Sequence, residues 1–489
     1  MAGIDREKLA AAIEGVKSEA ARALGEIAAM DGAASGGEGE PPFSEGAKAA
    51  FDYMMKLAAA DGFDADDVEG HGGHVEFGGL VYDGDGEVVG TSEEVLGMLG
   101  RLDARPAGAA RGRGPAVACY YAMKALSGAG FAPEKKVRLI LGLDGERGGD
   151  GLARYLRRFR APDVGFSLDG DFPASCGAMG RLVFGLAKKL AKAGPKGLAL
   201  RSLSGGEAPD AVPDFARAVV RGEGYEAIKE KAAAYRSETG RELRVKGLGK
   251  SLEISARGAS AHGSRPEEGL NAISVLMDFL SSLHFGSEGV QEFLDFYNER
   301  IGFETGGESL GCGFSDEASG SLRLNPAMIN GDDKAVNLTV AAYCPVSVGK
   351  EQVYEAILPS LEKNDMGLIK ISCLPPVTVR GMTGGEPALQ IGASEADARP
   401  PDPDGASDAA LCGRLAAVYA RLTGETERPP VISRSAFLAP EAGIRVAFGP
   451  RRTGDGAAPL EEGGVAEEAR LFLLIGLYAE AIAELAWGD

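Results

Sequence analysis

Three short apolar segments, each ending in acidic residues, decide the fold: VLGMLGRLD (95–103), VRLILGLDGE (137–146) and VGFSLDGD (164–171). The spacing between them predicts helices over 116–126 and 152–160. Strands that alternate with helices predict a mostly parallel sheet of the α/β class. Ligands of such sheets bind at the carboxyl ends of the strands. We therefore expect any chemistry where these three segments end.

The rest of the chain predicts further elements and a second domain. Upstream, amphipathic helices are expected over 1–30 and 45–60, followed by a hairpin whose turn is Asp83-Gly84-Asp85-Gly86. From about Met179 the pattern changes to that of a separate α+β domain, with strands such as 182–190 and helices such as 271–283. A linker rich in Pro, Asp and Gly follows, then a helix, a strand at 446–448 and a final helix. The predicted boundaries are 1–178, 179–391 and 392–489.

Composition excludes several classes of function. With 52 basic and 72 acidic residues the net charge is −20, which disfavours nucleic acid and anionic membranes as partners. No apolar run approaches the ~20 residues that cross a bilayer. The six cysteines form no C-x-x-C pair, so neither a disulfide framework nor a zinc knuckle is indicated. We expect a cytoplasmic protein.

Carboxylates follow each of the three central strands. They are Asp103, Asp144, Glu146, Asp169 and Asp171. Carboxylates at adjacent strand ends suit a hard cation or general acid–base chemistry. Equally, acidic loop residues can simply solvate the ends of strands. The residues alone leave both interpretations open.

Motifs along nearly the whole chain resemble one family. In order they are GHVEFG (73–78), GRLD (100–103), PAG (106–108), DGE (144–146), SAHG (260–263), GESLG (307–311), VAFGP (446–450) and YAEAI (478–482). This set is similar to the dinuclear metallopeptidases of the aminoacylase and carboxypeptidase-G type, and among them to the PepV or Sapep-type dipeptidases. The resemblance implies an α/β catalytic-type domain formed by the first and last parts, with an inserted α+β lid domain between them.

The resemblance also implies a reaction. Family members hydrolyse dipeptides with two Zn²⁺ or Mn²⁺ ions that activate a water, while a glutamate takes its proton. A lid histidine, matched here by His262, supports the developing oxyanion. Asp103 matches the aspartate that orients a ligand histidine, and Glu146 and Asp169 match two of the metal ligands.

Several family positions have changed. Arg101 replaces the first ligand histidine, and a guanidinium cannot coordinate a metal. Arg111-Gly112-Arg113 replaces the segment with the bridging carboxylate, and Gly145 replaces the catalytic glutamate. A lid arginine of the family is Ala342 here. The last ligand histidine is absent, because the chain's histidines are His71, His74, His262 and His284.

These changes predict a homologue whose dipeptidase activity is lost or severely impaired, with no metal or one weakly held by Glu146 and Asp169. Arg101, Arg111 and Arg113 could neutralise the leftover carboxylates, Arg101 pairing with Asp103, or could bind an anionic small molecule or peptide. His262 could likewise persist for packing or for ligand binding. Two alternatives remain: an active metallodipeptidase with unconventional ligands, and a non-catalytic ligand-binding or protein-interaction scaffold. The sequence leaves the oligomeric state unknown.

Overall fold

The structure is a computed structural model, and it describes residues 5–32, 45–82, 87–102, 110–143, 150–190, 197–222, 224–378, 406–425, 431–434, 436–452 and 465–486. These residues form two compact units. Unit 1 consists of the described residues of 5–178, 377–378 and 406–486. Unit 2 consists of those of 179–376.

The described helices and strands are numbered here in chain order. The α-helices are α1 Arg6–Gly32, α2 Glu45–Ala60, α3 Ala110–Gly128, α4 Asp150–Arg158, α5 Tyr225–Thr239, α6 Ala272–Ser281, α7 Glu288–Arg300, α8 Lys350–Lys363, α9 Ala406–Thr423 and α10 Val465–Ala486. The strands of unit 1 are β1 Asp64–Asp67, β2 Gly72–Gly78, β3 Leu80–Tyr82, β4 Val88–Thr91, β5 Val95–Arg101, β6 Lys136–Gly142, β7 Val164–Ser167, β8 Gly170–Phe172, β9 Ser175–Ala178, β20 Val377–Thr378, β21 Val431–Ser433 and β22 Pro450–Arg452. Those of unit 2 are β10 Gly180–Lys189, β11 Ala199–Gly205, β12 Phe215–Arg221, β13 Leu243–Leu248, β14 Ser251–Arg257, β15 Ser315–Asp316, β16 Gly320–Ser321, β17 Arg323–Gly331, β18 Ala335–Cys344 and β19 Gly367–Leu374.

The main sheet of unit 1 has the strand order β1-β2-β6-β5-β7. Strand β5 pairs in parallel with both β6 and β7, while β1 and β2 are antiparallel. Every residue of β5 is buried, which explains its unbroken apolar pattern, since central parallel strands are covered on both faces. The α/β class predicted from the sequence is confirmed.

One local prediction is confirmed and another needs correction. The strands on either side of the predicted hairpin turn, β3 and β4, pair antiparallel, whereas residues 74–77 belong to β2, which pairs with β1 and β6. The hairpin turn itself, 83–86, lies outside the described residues. The strand expected at 446–448 is reduced to isolated β-bridges, and the next strand begins at Pro450. Ala447 bridges Ser167 of β7 and Ser175 of β9, and the buried triplet 446–448 exchanges backbone hydrogen bonds with both.

Unit 2 is built on an antiparallel sheet with the order β13-β14-β12-β11-β17-β18-β10-β19. One face packs with α6, α7 and α8 in an apolar core that includes Leu182, Leu324 and Ala342. The opposite face carries a separate small cluster of Val183, Ala341 and Tyr343. An antiparallel sheet with helices on one face is the α+β arrangement that the sequence predicted.

The described helices were also compared with the requirements of a membrane span. None of them combines enough length with enough apolar character to cross a bilayer. The longest, α1, interleaves charged residues with alanines over Arg6–Gly32.

Candidate functional site

The candidate site of unit 1 lies where short parallel strands bring distant segments together. Strand β22 pairs in parallel with β8 and places Arg451 opposite Asp171. The chain enters β22 through Gly449, whose φ is +73°. A Cβ at Gly449 would lie 2.3 Å from Cζ of Phe172, so only glycine fits this turn.

Asp169, which follows β7, contacts two guanidinium groups. Arg101 Nη1 lies 3.2 Å from its Oδ2, and Arg451 Nη1 lies 2.8 Å from its Oδ1. The side chain of Asp169 is 17% exposed and that of Arg101 is 9% exposed. Both carboxylate oxygens of a mostly buried aspartate therefore face a cation, which is the charge-assisted pairing that buried carboxylates require.

Asp171 completes the arrangement. Arg451 Nε lies 3.2 Å from its Oδ1, and the Ser433 hydroxyl donates a hydrogen bond to its Oδ2. Burial acts to lower the pKa of Arg451, but Asp171 and Asp169 outweigh it and raise that pKa above its ordinary value. Arg451 thus stays charged and forms ion pairs with both aspartates. We call Arg101, Asp169, Asp171, Ser433 and Arg451 the arginine–aspartate cluster.

Aromatic side chains surround this cluster. The Arg101 guanidinium lies 5.0 Å from the centre of the Phe437 ring, a cation–π distance. Tyr478 of α10 is fully buried. Burial, reinforced by Cys119 and Asp169, raises the pKa of Tyr478 well above its usual value. The hydroxyl of Tyr478 therefore stays protonated and supplies no negative charge.

Other residues selected from the sequence lie elsewhere. Arg113 is fully buried, and its guanidinium donates to the carbonyl oxygens of Leu102 and Ile27 at 2.9 and 3.1 Å. A side chain so placed has no surface with which to bind a ligand from solvent. Asp103, Glu146 and the side chain of Arg111 lie outside the described residues.

His74 packs inside unit 1. Its ring contacts Tyr155 and Phe159 edge to face, with centroids 5.6 and 4.7 Å away. Burial, helped by Arg138 and Arg158, lowers its pKa to about 3. The ring is therefore neutral at pH 7, and its packing indicates a structural role.

His262 belongs to unit 2, where it is half-buried. Its Nδ1 accepts the Ser264 backbone N–H at 3.2 Å and lies 2.8 Å from the Ser264 hydroxyl. Because a backbone N–H can only donate, the neutral ring carries its proton on Nε2. The ring centre lies 5.9 Å from that of Tyr343.

The arginine–aspartate cluster does not fit a divalent metal ion. A metal bound by Asp169 would have to displace a guanidinium from the oxygen it coordinates, and the other guanidinium would repel it at close range. Within the described residues, no three His, Cys, Asp or Glu side chains are grouped as metal ligands. We therefore derive no reaction step through a metal at this site.

Comparison with known proteins shows what the chain is similar to. Residues 246–348 match the family described as a peptidase dimerisation domain. The chain is 29% identical over 321 residues to a protein of Staphylococcus haemolyticus assigned as a dipeptidase, an alignment covering 60% of this chain and 65% of the relative. It is 27% identical over 314 residues to the Beta-Ala-Xaa dipeptidase of Lactobacillus delbrueckii subsp. lactis, covering 60% and 64%. These matches agree with the resemblance to PepV-type dipeptidases that the motifs indicate.

The matched part of the chain spans about 65% of the length of the curated relatives. Among solved structures, human carnosine dipeptidase 1 aligns with 98% of each chain at 12% identity and a TM-score of 0.49.

Sequence reasoning missed one member of this cluster, Arg451. It comes from a part of the chain 280 residues after Asp171, whereas Ser433 stands where the resemblance places a tract that lines the cleft. One signal was available: the pair Arg451-Arg452 directly follows the VAFGP motif. In a strongly acidic chain, adjacent arginines after a buried segment indicate an acidic partner nearby.

Proposed function

We propose that this chain is a PepV-like dipeptidase homologue in which arginines have replaced the metal ions, and that its peptidase activity is lost or severely impaired. The observation that carries the proposal is the double engagement of Asp169 by Arg101 and Arg451. Arg101 occupies the position of a ligand histidine in the resemblance. A position that binds metal in the family thus carries a cation, Arg101, in this chain. That cation pairs with Asp169, which matches another metal-ligand position.

Electrostatics supports the same conclusion. A dinuclear centre places four positive charges among carboxylates, and these carboxylates need the charge to remain stable when buried. Here two guanidinium groups supply positive charge from within the chain. Arginine is suited to this because it is always protonated and donates two parallel hydrogen bonds. The cluster can therefore stay folded without metal.

The sequence also lacks several residues that the family's reaction requires. No histidine follows His284, so the last ligand of the family has no substitute of its own kind. The segment 111–115 contains no carboxylate, and glycine precedes Glu146 where the general base is expected. Without a base or a bridging ligand, the attacking water has nothing to activate it.

Metal binding and hydrolysis test the proposal together. The purified full chain would be incubated with excess Mn²⁺ or Zn²⁺, desalted and analysed by inductively coupled plasma mass spectrometry. Hydrolysis of β-Ala-Xaa and ordinary dipeptides would be followed by amine release, with the Lactobacillus delbrueckii enzyme as positive control. We expect less than one ion per chain and no turnover above the blank.

Two bound ions together with turnover would establish the alternative, an active metallodipeptidase with unconventional ligands, and would refute the proposal. One ion without turnover is consistent with the proposal, since Glu146 and Asp169 match family ligands. An Arg101→Ala variant serves as a matched test. If metal uptake rises while hydrolysis stays absent, the guanidinium is what excludes the ion.

A further inference from the structure

Two cysteines of unit 1 are neighbours in space although they are far apart in the sequence. Cys176 belongs to β9 and Cys412 to α9, and the helix packs against the strand. Both side chains lie in the same apolar core. The Cys412 thiol donates a hydrogen bond to the sulfur of Cys176. The two sulfur atoms are therefore close enough to interact directly, which is the first requirement for a bond between them.

Polar contacts give the two thiols different properties. The Cys176 thiol donates a weak hydrogen bond to the carbonyl oxygen of Val431, with Sγ 3.6 Å from that oxygen, because β21 pairs with β9. If Cys176 loses its proton, the hydrogen bond from Cys412 remains and stabilises the thiolate. This hydrogen bond lowers the pKa of Cys176 in spite of burial. The same contact, together with burial, raises the pKa of Cys412 well above its usual value.

The remaining cysteines of the chain have other surroundings, and all of them lie in the described residues. Cys119, Cys312 and Cys344 are buried, and burial raises the pKa of Cys312 and of Cys344 to about 12. Cys373 is exposed, and its pKa is also raised by partial burial. The thiolate is the nucleophilic form of cysteine. The surroundings of Cys176 thus favour that form more than those of the other thiols do.

We infer that Cys176 and Cys412 form a reversible disulfide when the chain meets a hydroperoxide such as H₂O₂. The Cys176 thiolate attacks one oxygen of the peroxide, the O–O bond breaks, and the hydroxide that leaves takes up a proton to become water. Cys176 is then a sulfenic acid. The Cys412 sulfur attacks the sulfenic sulfur, the S–O bond breaks, and the Cys412 proton leaves with that hydroxyl group as a second water. Two thiols are oxidised to one disulfide, and one peroxide is reduced to two waters.

Burial assigns the order of these steps. Cys176 is 3% exposed, whereas Cys412 is fully buried. Hydrogen peroxide is little larger than water, so it can reach the sulfur that retains some contact with solvent. Cys176 is therefore the thiol that is oxidised first, and Cys412 is the thiol that resolves the sulfenic acid.

The disulfide would join the two parts of unit 1 that precede and follow unit 2 in the sequence. The loop that it closes, 177–411, contains all the described residues of unit 2. A cross-link over so long a loop restricts the unfolded chain and thereby favours the folded one. The inference does not depend on the loss of hydrolysis, because it concerns two thiols in the core of unit 1.

Peptide mapping tests the inference. The full chain would be reduced with dithiothreitol, desalted, treated with a small excess of H₂O₂, quenched with catalase, and then unfolded and alkylated with N-ethylmaleimide. We expect a cross-linked peptide that joins Cys176 to Cys412, while Cys312 and Cys344 stay alkylated as internal controls. Dithiothreitol should restore both thiols. The oxidised chain should also unfold at a higher urea concentration than the reduced chain.

Variants assign the two roles. In Cys412→Ser the sulfenic acid of Cys176 should accumulate and be labelled by dimedone, whereas in Cys176→Ser the Cys412 thiol should stay alkylated. The matched control is Cys373→Ser, which removes an exposed thiol and should leave formation of the disulfide unchanged.

Two results would overturn the inference. One is that Cys176 and Cys412 remain fully alkylated under conditions in which the exposed Cys373 is oxidised. The other is irreversible oxidation of Cys176 without any cross-link to Cys412, which would mean that the second thiol cannot reach the first. The peptide map of the wild-type chain decides the matter even if a variant fails to fold.

Discussion

The two units differ in whether their buried polar groups have hydrogen-bonding or ionic partners. In unit 1 the arginine–aspartate cluster satisfies itself, since both aspartates have an arginine at 3.2 Å or less. In unit 2 the face around Tyr343 buries polar atoms of Arg181, Arg323 and Asn325 without hydrogen bonds in the described part of the chain. A satisfied cluster stabilises a fold, whereas a buried polar atom without a hydrogen bond costs free energy. We therefore expect substitutions in the cluster to lower the stability of unit 1, and substitutions of the unsatisfied groups to change the stability of unit 2 little.

Removing the shared cation of unit 1 should have the largest effect. Arg451→Met removes the guanidinium that pairs with both Asp169 and Asp171, of which Asp171 is only 6% exposed. Breaking a buried ion pair in this way costs about 3–5 kcal/mol. Urea unfolding monitored by circular dichroism would measure the loss. The control is Arg421→Met, which removes a surface partner of Glu480 that is 35% exposed and should cost under about 1 kcal/mol. Equal effects of the two substitutions would show that the cluster is not a stabilising unit.

Another buried polar group of unit 1, His74, should make stability depend on pH. Its pKa of about 3 in the folded chain lies below the ordinary 6.5, so the unfolded chain takes up a proton that the folded chain does not. Stability therefore falls as pH drops from 6.5 towards 3, by about 2 kcal/mol between pH 6.5 and 5. His74→Phe keeps an aromatic ring but cannot titrate. Urea unfolding at both pH values should show a smaller loss for this variant, and an unchanged loss would assign the effect to other groups.

Removing a cation from unit 2 should scarcely change stability. Arg181→Met eliminates a buried donor that has no hydrogen bond among the described residues. The free energy of unfolding should stay within about 1 kcal/mol of wild type, or rise, because the cost of the unsatisfied donor disappears. The same urea titration measures it. A loss above about 2 kcal/mol would mean that Arg181 stabilises unit 2 in the way that Arg451 is expected to stabilise unit 1.

The smallest expected effect is on hydrolysis. The double substitution Arg101→His with Gly145→Glu restores two residues of the family pattern but neither the bridging carboxylate nor the last histidine. Dipeptide hydrolysis in the presence of Mn²⁺ or Zn²⁺ should remain at the level of the blank. Measurable turnover would show that the remaining residues suffice for a metal centre, and that unit 1 is closer to an active site than its ion pairs indicate.

Much of the fold follows from sequence because its signals are local. Strands β5, β6 and β7 were predicted within two residues of their observed ends, since their apolar runs are short and bounded by polar residues. Residues 446–448 show the limit of this reasoning. Their apolar pattern correctly indicates pairing, since Ala447 bridges Ser167 and Ser175, but it does not show that the pairing stops at isolated bridges.

The candidate sites were predictable only in part. Asp169 and Arg101 were selected from motifs, but their mutual contact was not, because they are separated by 68 residues. Arg451 carried one signal, its position beside Arg452 after the VAFGP motif. Arg181 and Arg323 are single charged residues near the start of a strand, and nothing in the sequence indicates which residue will lie opposite them.

The sequence by itself determined the order of the elements, the α/β class of unit 1 and the inventory of groups that can bind metal, because periodicity and composition are properties of the chain. Only the tertiary structure decided that Arg451 pairs with Asp169 across 282 residues, and that Arg181 and Arg323 flank the same tyrosine. The physical reason is register: pairing between distant strands is set by packing of the whole sheet, and a shift of one residue would turn each arginine to the opposite face.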